Sequence, residues 1–341
     1  MKEKINNLTI KTLARQLGLS VSTVSKAISD SHEISALTKQ RVNDLVQKLN
    51  YVPNPYASSL RTRNSKTIGV VIPEVADSFF AQAINGIESV AQEKGYHVLI
   101  YLSHENFEKE KKILKDFESG RVDGVLMSVA RETILHHHID ALMDKKVPLV
   151  FFDRVMEEVN TTKITTNDFE SAYLATVHLI KKGCIKILFL SFSHTLSISC
   201  KRLDGYKKAL LDYQLKPDVG NIITFTNDAK KDYLQLKKKL KSIKKGAGIV
   251  ASVEKLALPV YQACEDLQLS IPKDVQLICF SNVDTAAFLH PPLTTITQPA
   301  FEMGKIAASI LVKSLERKNF ELPDEEIIIP AVMVLRKSVK G

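Results

Sequence analysis

Tryptophan is absent from this chain, there are only four cysteines, and acidic residues are few near the start. No apolar run approaches the about 18 residues of a membrane helix, so we expect no contact with a membrane. The polar first residues also predict no secretory signal. The cysteines form no Cys-x-x-Cys pair and have no histidine at metal-ligand spacing. We therefore expect reduced, buried thiols in a cytoplasmic protein, at Cys184, Cys200, Cys264 and Cys279.

Charge is distributed unevenly along the 341 residues. Residues 1–66 hold eleven Lys and Arg against four Asp and Glu, whereas the remaining 275 residues hold 36 against 34. A length beyond about 250–300 residues predicts more than one domain. A basic segment attached to a near-neutral body indicates a polyanionic partner if that segment folds; a solvated basic tail is the alternative.

Three short helices are predicted in residues 1–50. Thr9 and Ser20 are suitable N-caps for the first two, and Gly18 between them accepts the left-handed conformation that ends a helix. Ser35 is a suitable cap for the third. Two short helices joined by a tight turn and braced by a third form a helix-turn-helix. The alternative is a small bundle in which the Ser/Thr run only caps a helix.

The start of the second predicted helix is rich in small polar side chains. This is the part of a helix-turn-helix that enters a major groove. Small hydroxyl groups allow close approach and bond phosphates or base edges, and a lysine reaches guanine acceptors or a phosphate. The predicted DNA-contacting residues in this headpiece are Thr9, Ser20, Val21, Ser22, Thr23, Ser25 and Lys26.

Residues 51–66 are predicted to form a hinge. Asn54 is a good helix cap and Pro55 suits the first helical position. The helical pattern is nevertheless shorter than the about 12–15 residues that an isolated helix needs in water. Such a segment is typical of a helix that folds only on binding, with Leu60 as its exposed apolar side chain. A plain linker is the alternative.

Strands and helices alternate from Thr67 to the end of the chain in two series. This pattern predicts parallel sheets with helices on both faces, and ligands in such folds bind at the carboxyl ends of the strands. The predicted fold class is an N-terminal all-α helix-turn-helix headpiece followed by an α/β core of two doubly wound parallel-sheet lobes.

These motifs, in this order, resemble those of the LacI/GalR family of bacterial transcription regulators, and the resemblance covers nearly the whole chain. The matching motifs include Gly18-Leu19-Ser20-Val21-Ser22-Thr23-Val24-Ser25-Lys26, Tyr51-Val52-Pro53-Asn54 and Phe152-Asp153-Arg154. The most specific core signature is Pro291-Pro292-Leu293-Thr294-Thr295-Ile296 with Gln298-Pro299.

The resemblance implies a core like the type I periplasmic sugar-binding proteins, in which the chain crosses between the lobes three times. We place the crossings near residues 161–163, 290–291 and 320–323. The predicted domains are the headpiece 1–50, the hinge 51–66, an N-lobe of 67–162 with 291–321, and a C-lobe of 163–290 with 322–341.

The resemblance also implies a homodimer on a near-palindromic double-stranded DNA operator. Two hinge helices lie side by side in the minor groove, where a leucine from each separates a central base step. Leu60 matches that leucine, Ala57 the small residue beside it, and Asn54 the hinge cap. No cofactor and no metal are expected. Lys26 stands where arginine is common, which predicts a different or weaker base preference.

The resemblance further implies a small-molecule effector, a sugar or sugar derivative, in the cleft between the lobes. Val253-Glu254 replaces a usual Asn-Asp pair, and Ser281 replaces a usual aspartate. Losing these polar groups predicts an altered ligand or a vestigial pocket. The predicted effector-binding residues are Phe79, Asp153, Arg202, Val253, Glu254 and Ser281.

The sequence thus predicts an effector-controlled transcriptional repressor acting in the cytoplasm at the nucleoid. A small-molecule binding protein with a non-functional headpiece is the first alternative, and intact Lys26, Asn54 and Leu60 argue against it. A sugar-acting enzyme is the second, but the cleft positions supply no paired acid and base. A metal site in His136-His137-His138 is disfavoured because consecutive helical residues point in different directions, and a solvated helix face is expected there instead.

Overall fold

The computed structural model describes residues 8–51, 65–226, 228–243, 246–317 and 321–341. The chain divides into two compact units, Met1–Ser65 and Lys66–Gly341. Asn54, Ala57 and Leu60, on which the hinge prediction depends, lie outside the described residues. Within the described ranges no helix is long and apolar enough to cross a membrane.

The first unit contains the three predicted helices, α1 (Ile10–Leu17), α2 (Val21–Ile28) and α3 (Ala36–Lys48). Gly18 ends α1 with a φ of 65°, the left-handed conformation that glycine adopts without a Cβ clash. A small core forms where the three helices meet. Its buried residues are Leu13, Ala14, Val24, Ala27 and Val42.

The second unit is the α/β core, and its elements alternate as predicted. In chain order they are β1 (Thr67–Ile72), α4 (Ser78–Glu93), β2 (His97–Leu102), α5 (Phe107–Phe117), β3 (Gly124–Met127), α6 (His137–Asp144), β4 (Leu149–Phe152), β5 (Lys163–Thr166), α7 (Asp168–Lys181), β6 (Lys186–Ser191), α8 (Ser197–Asp212), β7 (Ile222–Thr224), α9 (Ala229–Ile243), β8 (Ala247–Ala251), α10 (Ala257–Asp266), β9 (Val275–Phe280), β10 (Thr294–Thr297), α11 (Ala300–Glu316), β11 (Glu326–Ile329) and β12 (Val332–Val334).

The strands form two six-stranded sheets, ordered β11-β5-β4-β3-β1-β2 in the N-lobe and β12-β10-β9-β8-β6-β7 in the C-lobe. Neighbouring strands are parallel except for β10 and β12. All six residues of β1 are buried. Its Ile68 and Val70 pack with helices α4 and α11, whereas Val71 packs with the side of α5 and α6. A strand covered on both faces needs a continuous apolar run, which is why no alternation is visible in the sequence.

The points at which the chain changes lobes differ from the predicted boundaries. β5, predicted in the C-lobe, pairs with β4 in the N-lobe sheet, and β10, predicted in the N-lobe, pairs with β9. β11, predicted in the C-lobe, pairs with β5. The crossings therefore follow these strands, at residues 166–168, 297–300 and 329–332. Strand and helix periodicity predicts the order of elements but carries no information about which sheet a strand joins.

Each lobe contains a pair of helices whose backbones are in close contact. A Cβ on Gly86 of α4 would lie 2.0 Å from the carbonyl oxygen of Phe301 in α11, and a Cβ on Gly205 of α8 would lie 2.1 Å from that of Phe169 in α7. Only glycine permits such an approach. The cysteines also lie largely inside the core, since three are buried and Cys200 is half-buried.

Candidate functional site

The start of α2 forms the candidate DNA-contacting surface of the headpiece. Val21 and Ser22 are exposed, and Val21 exposes 41% of its surface. Ser20 caps the helix, because its hydroxyl accepts the backbone N–H of Thr23 at 3.0 Å and lies 2.8 Å from the Thr23 hydroxyl. Capping uses only part of the hydrogen-bonding capacity of these hydroxyl groups. The hydroxyl groups of Ser20 and Thr23 therefore cap the helix and can still form a further hydrogen bond with a binding partner.

The other predicted headpiece residues fall around the same turn and at the start of α1. Thr9 caps α1 by accepting the backbone N–H of Thr12 at 3.4 Å. Ser25 and Lys26 are half-buried on α2. The ammonium group of Lys26 forms an ion pair with Glu33, in the segment between α2 and α3. Sequence reasoning missed Glu33, because nothing in the local pattern brings that segment back to α2.

The inter-lobe cleft brings together all six residues predicted to bind an effector. Its cavity volume is small, about 20 Å³, so the cleft is almost filled by its own side chains. The carboxyl ends of β4, β8 and β9 supply four of the six, α4 supplies Phe79, and α8 supplies Arg202. Seven further residues also line the cleft. The sequence did not single them out as effector contacts, although several adjoin the predicted ones. These are Asp77, Phe80, Arg154, Ile198, Phe280, Asn282 and Gln298.

Glu254 joins the two lobes directly. Its Oε1 accepts a hydrogen bond from the hydroxyl of Ser78 at 2.8 Å and one from the backbone N–H of Ser78 at 3.4 Å. Its Oε2 accepts from the hydroxyl of Ser281 at 2.9 Å and from the backbone N–H of Asn282 at 3.1 Å. Ser78 begins α4 in the N-lobe, where the helix dipole also favours a negative charge. The carboxylate therefore holds the cleft closed from both sides.

Two amide side chains reinforce this closure. Gln82 of the N-lobe donates from Nε2 to the carbonyl oxygen of Asn282 at 3.1 Å, and Asn282 donates from Nδ2 to Oε1 of Gln82 at 2.9 Å. At the surface, Lys255 and Glu74 form a longer contact across the lobes, 3.4 Å between Nζ and Oε1. The protein thus closes its cleft with its own polar groups.

Arg202 is anchored on one side of the cleft. Its Nε donates to Oδ1 of Asp168 at 2.6 Å, its Nη1 donates to the carbonyl of Ser252, and its guanidinium lies 4.0 Å from the ring centre of Phe280. Its Nη2 is buried and has no hydrogen-bond partner within the described part of the chain. A buried donor without a partner is costly. This atom can therefore hold an oxygen of a bound ligand.

Arg154 pairs chiefly with Glu105 and forms a longer ion pair with Asp153. Both carboxylate oxygens of Glu105 accept from Nη1 of Arg154, at 2.9 and 2.8 Å, whereas Asp153 lies 3.7 Å from Nε. Asp153 accepts one longer bond, 3.3 Å, from the side chain of Gln298. Its φ of 62° is unusual for a residue other than glycine and is typical of strained functional positions.

Burial controls the acids of the cleft. It raises the pKa of Asp153 from 3.8 to about 6, although Arg154 and Arg202 act in the opposite direction. Burial, together with the neighbouring carboxylate of Glu254, also raises the pKa of Asp77. Water is thus partly excluded from these carboxyl groups, and their negative charges disfavour one another.

Two of the three consecutive histidines make polar side-chain contacts within the N-lobe. His138 is buried and lies 2.8 Å from the carboxylate of Glu110, while His136 contacts Asp140 one turn along the helix, also at 2.8 Å. The expected solvated face is therefore wrong for His138. The packing of His138 against α5 could be recognised only from the tertiary structure.

Comparison with known proteins shows which families the two parts of the chain resemble. Residues 9–54 match the family described as bacterial regulatory proteins, lacI family, and residues 176–339 match a periplasmic binding protein-like domain. The HTH-type transcriptional repressor PurR of Vibrio atlanticus (strain LGP32) is 30% identical over 319 residues, which cover 92% of this chain and 93% of that protein. The matched relatives are transcriptional regulators and not enzymes.

Solved structures show the same fold. The Lac repressor dimer bound to operator and the anti-inducer ONPF has a TM-score of 0.82 at 22% identity, covering 98% of this chain and 99% of that one. A LacI family transcriptional regulator from Enterococcus faecium with bound ribose has a TM-score of 0.69 at 27% identity, covering 80% and 98%. The chain therefore belongs to the LacI family of bacterial transcriptional regulators, with a DNA-binding headpiece and an effector-binding core.

Proposed function

We propose that the protein is a homodimeric repressor that binds a near-palindromic operator and responds to a small molecule in the inter-lobe cleft. The observation that carries the DNA-binding part is the exposed first turn of α2 on a basic headpiece. Val21 and Ser22 face base edges there, and Lys26 contacts a base or a phosphate. Such a regulator acts in the cytoplasm, at the nucleoid.

The hinge residues complete the proposed DNA contact. By resemblance alone, Asn54, Ala57 and Leu60 bind the minor groove, with Leu60 entering a central base step. An apolar wedge of this kind unstacks the step and kinks the duplex, so specific binding depends on deforming the DNA. Non-specific binding depends mainly on phosphate contacts and falls with added salt.

Effector control is proposed to act as a population shift. The ligand binds one arrangement of the lobes more tightly than the other, and this difference changes how two headpieces engage the operator. The closed arrangement seen here is held by Glu254 and by the Gln82–Asn282 pair. An effector that replaces these contacts changes the relative stability of the open and closed core.

The small molecule is proposed to contact Phe79, Asp153, Arg202, Val253, Glu254 and Ser281. The relative with bound ribose supports a small polar ligand. The unpartnered Nη2 of Arg202 suits an oxygen on such a ligand.

A gel shift tests the regulator directly. The full chain is titrated onto the DNA upstream of its own gene and onto random DNA of equal length, at low and moderate salt. We expect retardation of both at low salt and of the upstream DNA alone at moderate salt. If neither the upstream DNA nor the random DNA is retarded at low salt, the proposal is contradicted.

A further inference from the structure

The charged residues that line the cleft do not balance. Asp77, Asp153 and Glu254 supply three carboxylates, and Arg154 and Arg202 supply two guanidinium groups. Both arginines, however, already have carboxylate partners outside the lining. The balance within the cleft must therefore be judged after those pairs are taken into account.

Each arginine is neutralised by a deeper acid. Glu105 accepts two hydrogen bonds from Arg154, at 2.8 and 2.9 Å, and Asp168 accepts one from Arg202 at 2.6 Å. All four side chains are almost fully shielded from water, with exposures of 10% or less. With Glu105 and Asp168 included, five carboxylates share two guanidinium groups, so the positive charge that lowers the pKa of Asp153 is divided among them. The carboxylates of the cleft are consequently left without full compensation.

The partners of Glu254 are neutral. Two hydroxyl groups and two backbone N–H groups, from Ser78, Ser281 and Asn282, occupy its oxygens. Across the described ranges, no lysine, arginine or histidine lies within ion-pair distance of Glu254 or Asp77. Burial raises the pKa of Asp77 and that of Asp153; the carboxylate of Glu254 adds to the rise at Asp77, whereas Arg154 and Arg202 oppose it at Asp153.

The remaining nearby cations are committed elsewhere. Lys255 lies 3.7 Å from the ring centre of Phe192 and pairs with Glu74. Arg131 lies over the same ring at 4.6 Å and donates to the carbonyl of Phe225 at 2.7 Å. Neither residue belongs to the lining. They therefore bridge the lobes beside the cleft without neutralising its acids.

The aromatic residues of the cleft also favour a positively charged ligand. Arg202 lies over Phe280 at 4.0 Å and Arg154 over Phe80 at 5.4 Å. The rings of Phe79 and Phe80 pack edge to face, with 5.4 Å between their centres, and within the described chain no cation lies over the Phe79 ring. A ring face in an acidic cleft attracts a positive group.

We propose that the effector carries a protonated amine, seated among Asp77, Asp153 and Glu254 beside the ring of Phe79, and an oxygen acceptor that binds Nη2 of Arg202. This inference rests on the proposed function, because it assumes that the cleft is the effector site. An amine with an adjacent hydroxyl or carbonyl oxygen matches both the surplus of carboxylates and the unpartnered Nη2 of Arg202. An anionic ligand would instead add a negative charge to three acids.

Matched probes that differ mainly in charge test the proposal. Calorimetry of the full chain compares D-glucosamine with D-glucose and D-glucuronate, and putrescine with butanediol and succinate. In at least one set we expect the amine to bind at least about tenfold more tightly than both analogues. The proposal is overturned if, in both sets, an acid or neutral analogue binds as tightly as its amine, or if neither amine binds at millimolar concentration.

Substitutions locate the amine. Glu254→Gln and Asp153→Asn each remove one charge with little change in shape, and each is expected to weaken amine binding about tenfold or more. Asp212→Asn, an exposed acid on α8, serves as the matched control and leaves binding unchanged. Equal affinities for the amine in all three variants would also overturn the proposal.

The gel shift separates this inference from the regulator proposal. A chain that retards the upstream DNA but binds glucuronate or succinate refutes only the amine. A chain that binds an amine in the cleft but fails to retard DNA refutes the regulator and leaves the charge preference of the cleft standing.

Discussion

The hydroxyl of Ser78 donates a hydrogen bond to the carboxylate of Glu254 across the inter-lobe cleft, with 2.8 Å between the two oxygen atoms. These residues are 176 positions apart in the sequence. Glu254 stands where the LacI/GalR family usually has an aspartate, and its additional methylene lengthens its reach toward the opposite lobe. One side chain thus connects the first turn of α4 to the loop after β8.

Removing this bridge should open the core. Glu254→Ala leaves four donors without their acceptor, so we expect the free energy of unfolding to fall by about 2 kcal/mol. Backbone amide exchange should become faster at Ser78 and Asn282, and the radius of gyration from solution scattering should increase. Lys255→Ala is the control, because an exposed inter-lobe ion pair contributes about 0–1 kcal/mol. Unchanged exchange in Glu254→Ala would show that the bridge does not hold the lobes.

Asp153 should make stability depend on pH. Burial raises the pKa of Asp153 from 3.8 to about 6, so between these values the folded protein holds a proton that the unfolded chain releases. Stability from this group is therefore present at low pH and is lost as pH rises to about 6. Asp153→Asn should raise the free energy of unfolding by about 2 kcal/mol at about pH 7.5 and by much less near pH 4. Urea unfolding at both pH values measures the difference.

The matched control for this pH dependence is Asp212→Asn. Asp212 is exposed, and its pKa is lowered by a hydrogen bond from Lys208. That variant should show no stabilisation at neutral pH. A constant effect of Asp153→Asn at all pH values would contradict the assignment to Asp153.

The close helix contact in the C-lobe should be sensitive to a single methyl group. Gly205→Ala places a Cβ 2.1 Å from the carbonyl oxygen of Phe169, so α7 and α8 must separate. We expect a loss of about 2–4 kcal/mol, measured by thermal unfolding. The control is Gly120→Ala. Gly120 has a φ of 83°, and an added Cβ would have no atom within 4 Å, so this substitution introduces backbone strain without a steric clash. That control should lose only about 1 kcal/mol.

The ion pair between Lys26 and Glu33 should weaken DNA binding. Glu33→Gln releases the ammonium group and removes a negative charge near the proposed phosphate contacts. We expect affinity for the upstream DNA to rise about two- to fivefold in fluorescence anisotropy, with a steeper dependence on salt. In a Lys26→Ala background the same substitution should give a smaller gain. An equal gain in both backgrounds would show that Glu33 acts without Lys26.

Leu60 should separate specific from non-specific binding. Leu60→Ala removes the proposed apolar wedge but no charge, so we expect specific affinity to fall by about tenfold or more. Binding to random DNA at low salt should be unchanged. Footprinting with an unchanged affinity for the specific site would refute the wedge.

Local signals made the headpiece predictable. Thr9, Ser20 and Ser35 cap their helices through hydrogen bonds to the backbone three residues later, and Gly18 ends α1 in the conformation that its lack of a Cβ allows. Such contacts are encoded within one turn of the chain. The alternation of the core was likewise visible, because a buried parallel strand needs an uninterrupted apolar run.

The cleft residues were identified by another route. Phe79, Asp153, Arg202 and Glu254 were singled out through resemblance to a family, and the structure brings all four to one cleft. Resemblance matches positions one at a time and carries no information about their partners. The bond from Arg154 to Glu105 and the bridge at Glu254 were therefore absent from the prediction.

The sequence by itself determined the helices of the headpiece, the order of strands and helices in the core, and the concentration of positive charge before residue 67. Each follows from contacts between near neighbours or from composition. Tertiary structure alone decided that β5 and β11 join the N-lobe sheet while β10 joins the C-lobe sheet, that Glu33 pairs with Lys26, and that Glu254 closes the cleft. Those outcomes depend on which distant segments pack together, because a hydrogen bond or a charge acts on whatever folding brings within a few ångströms.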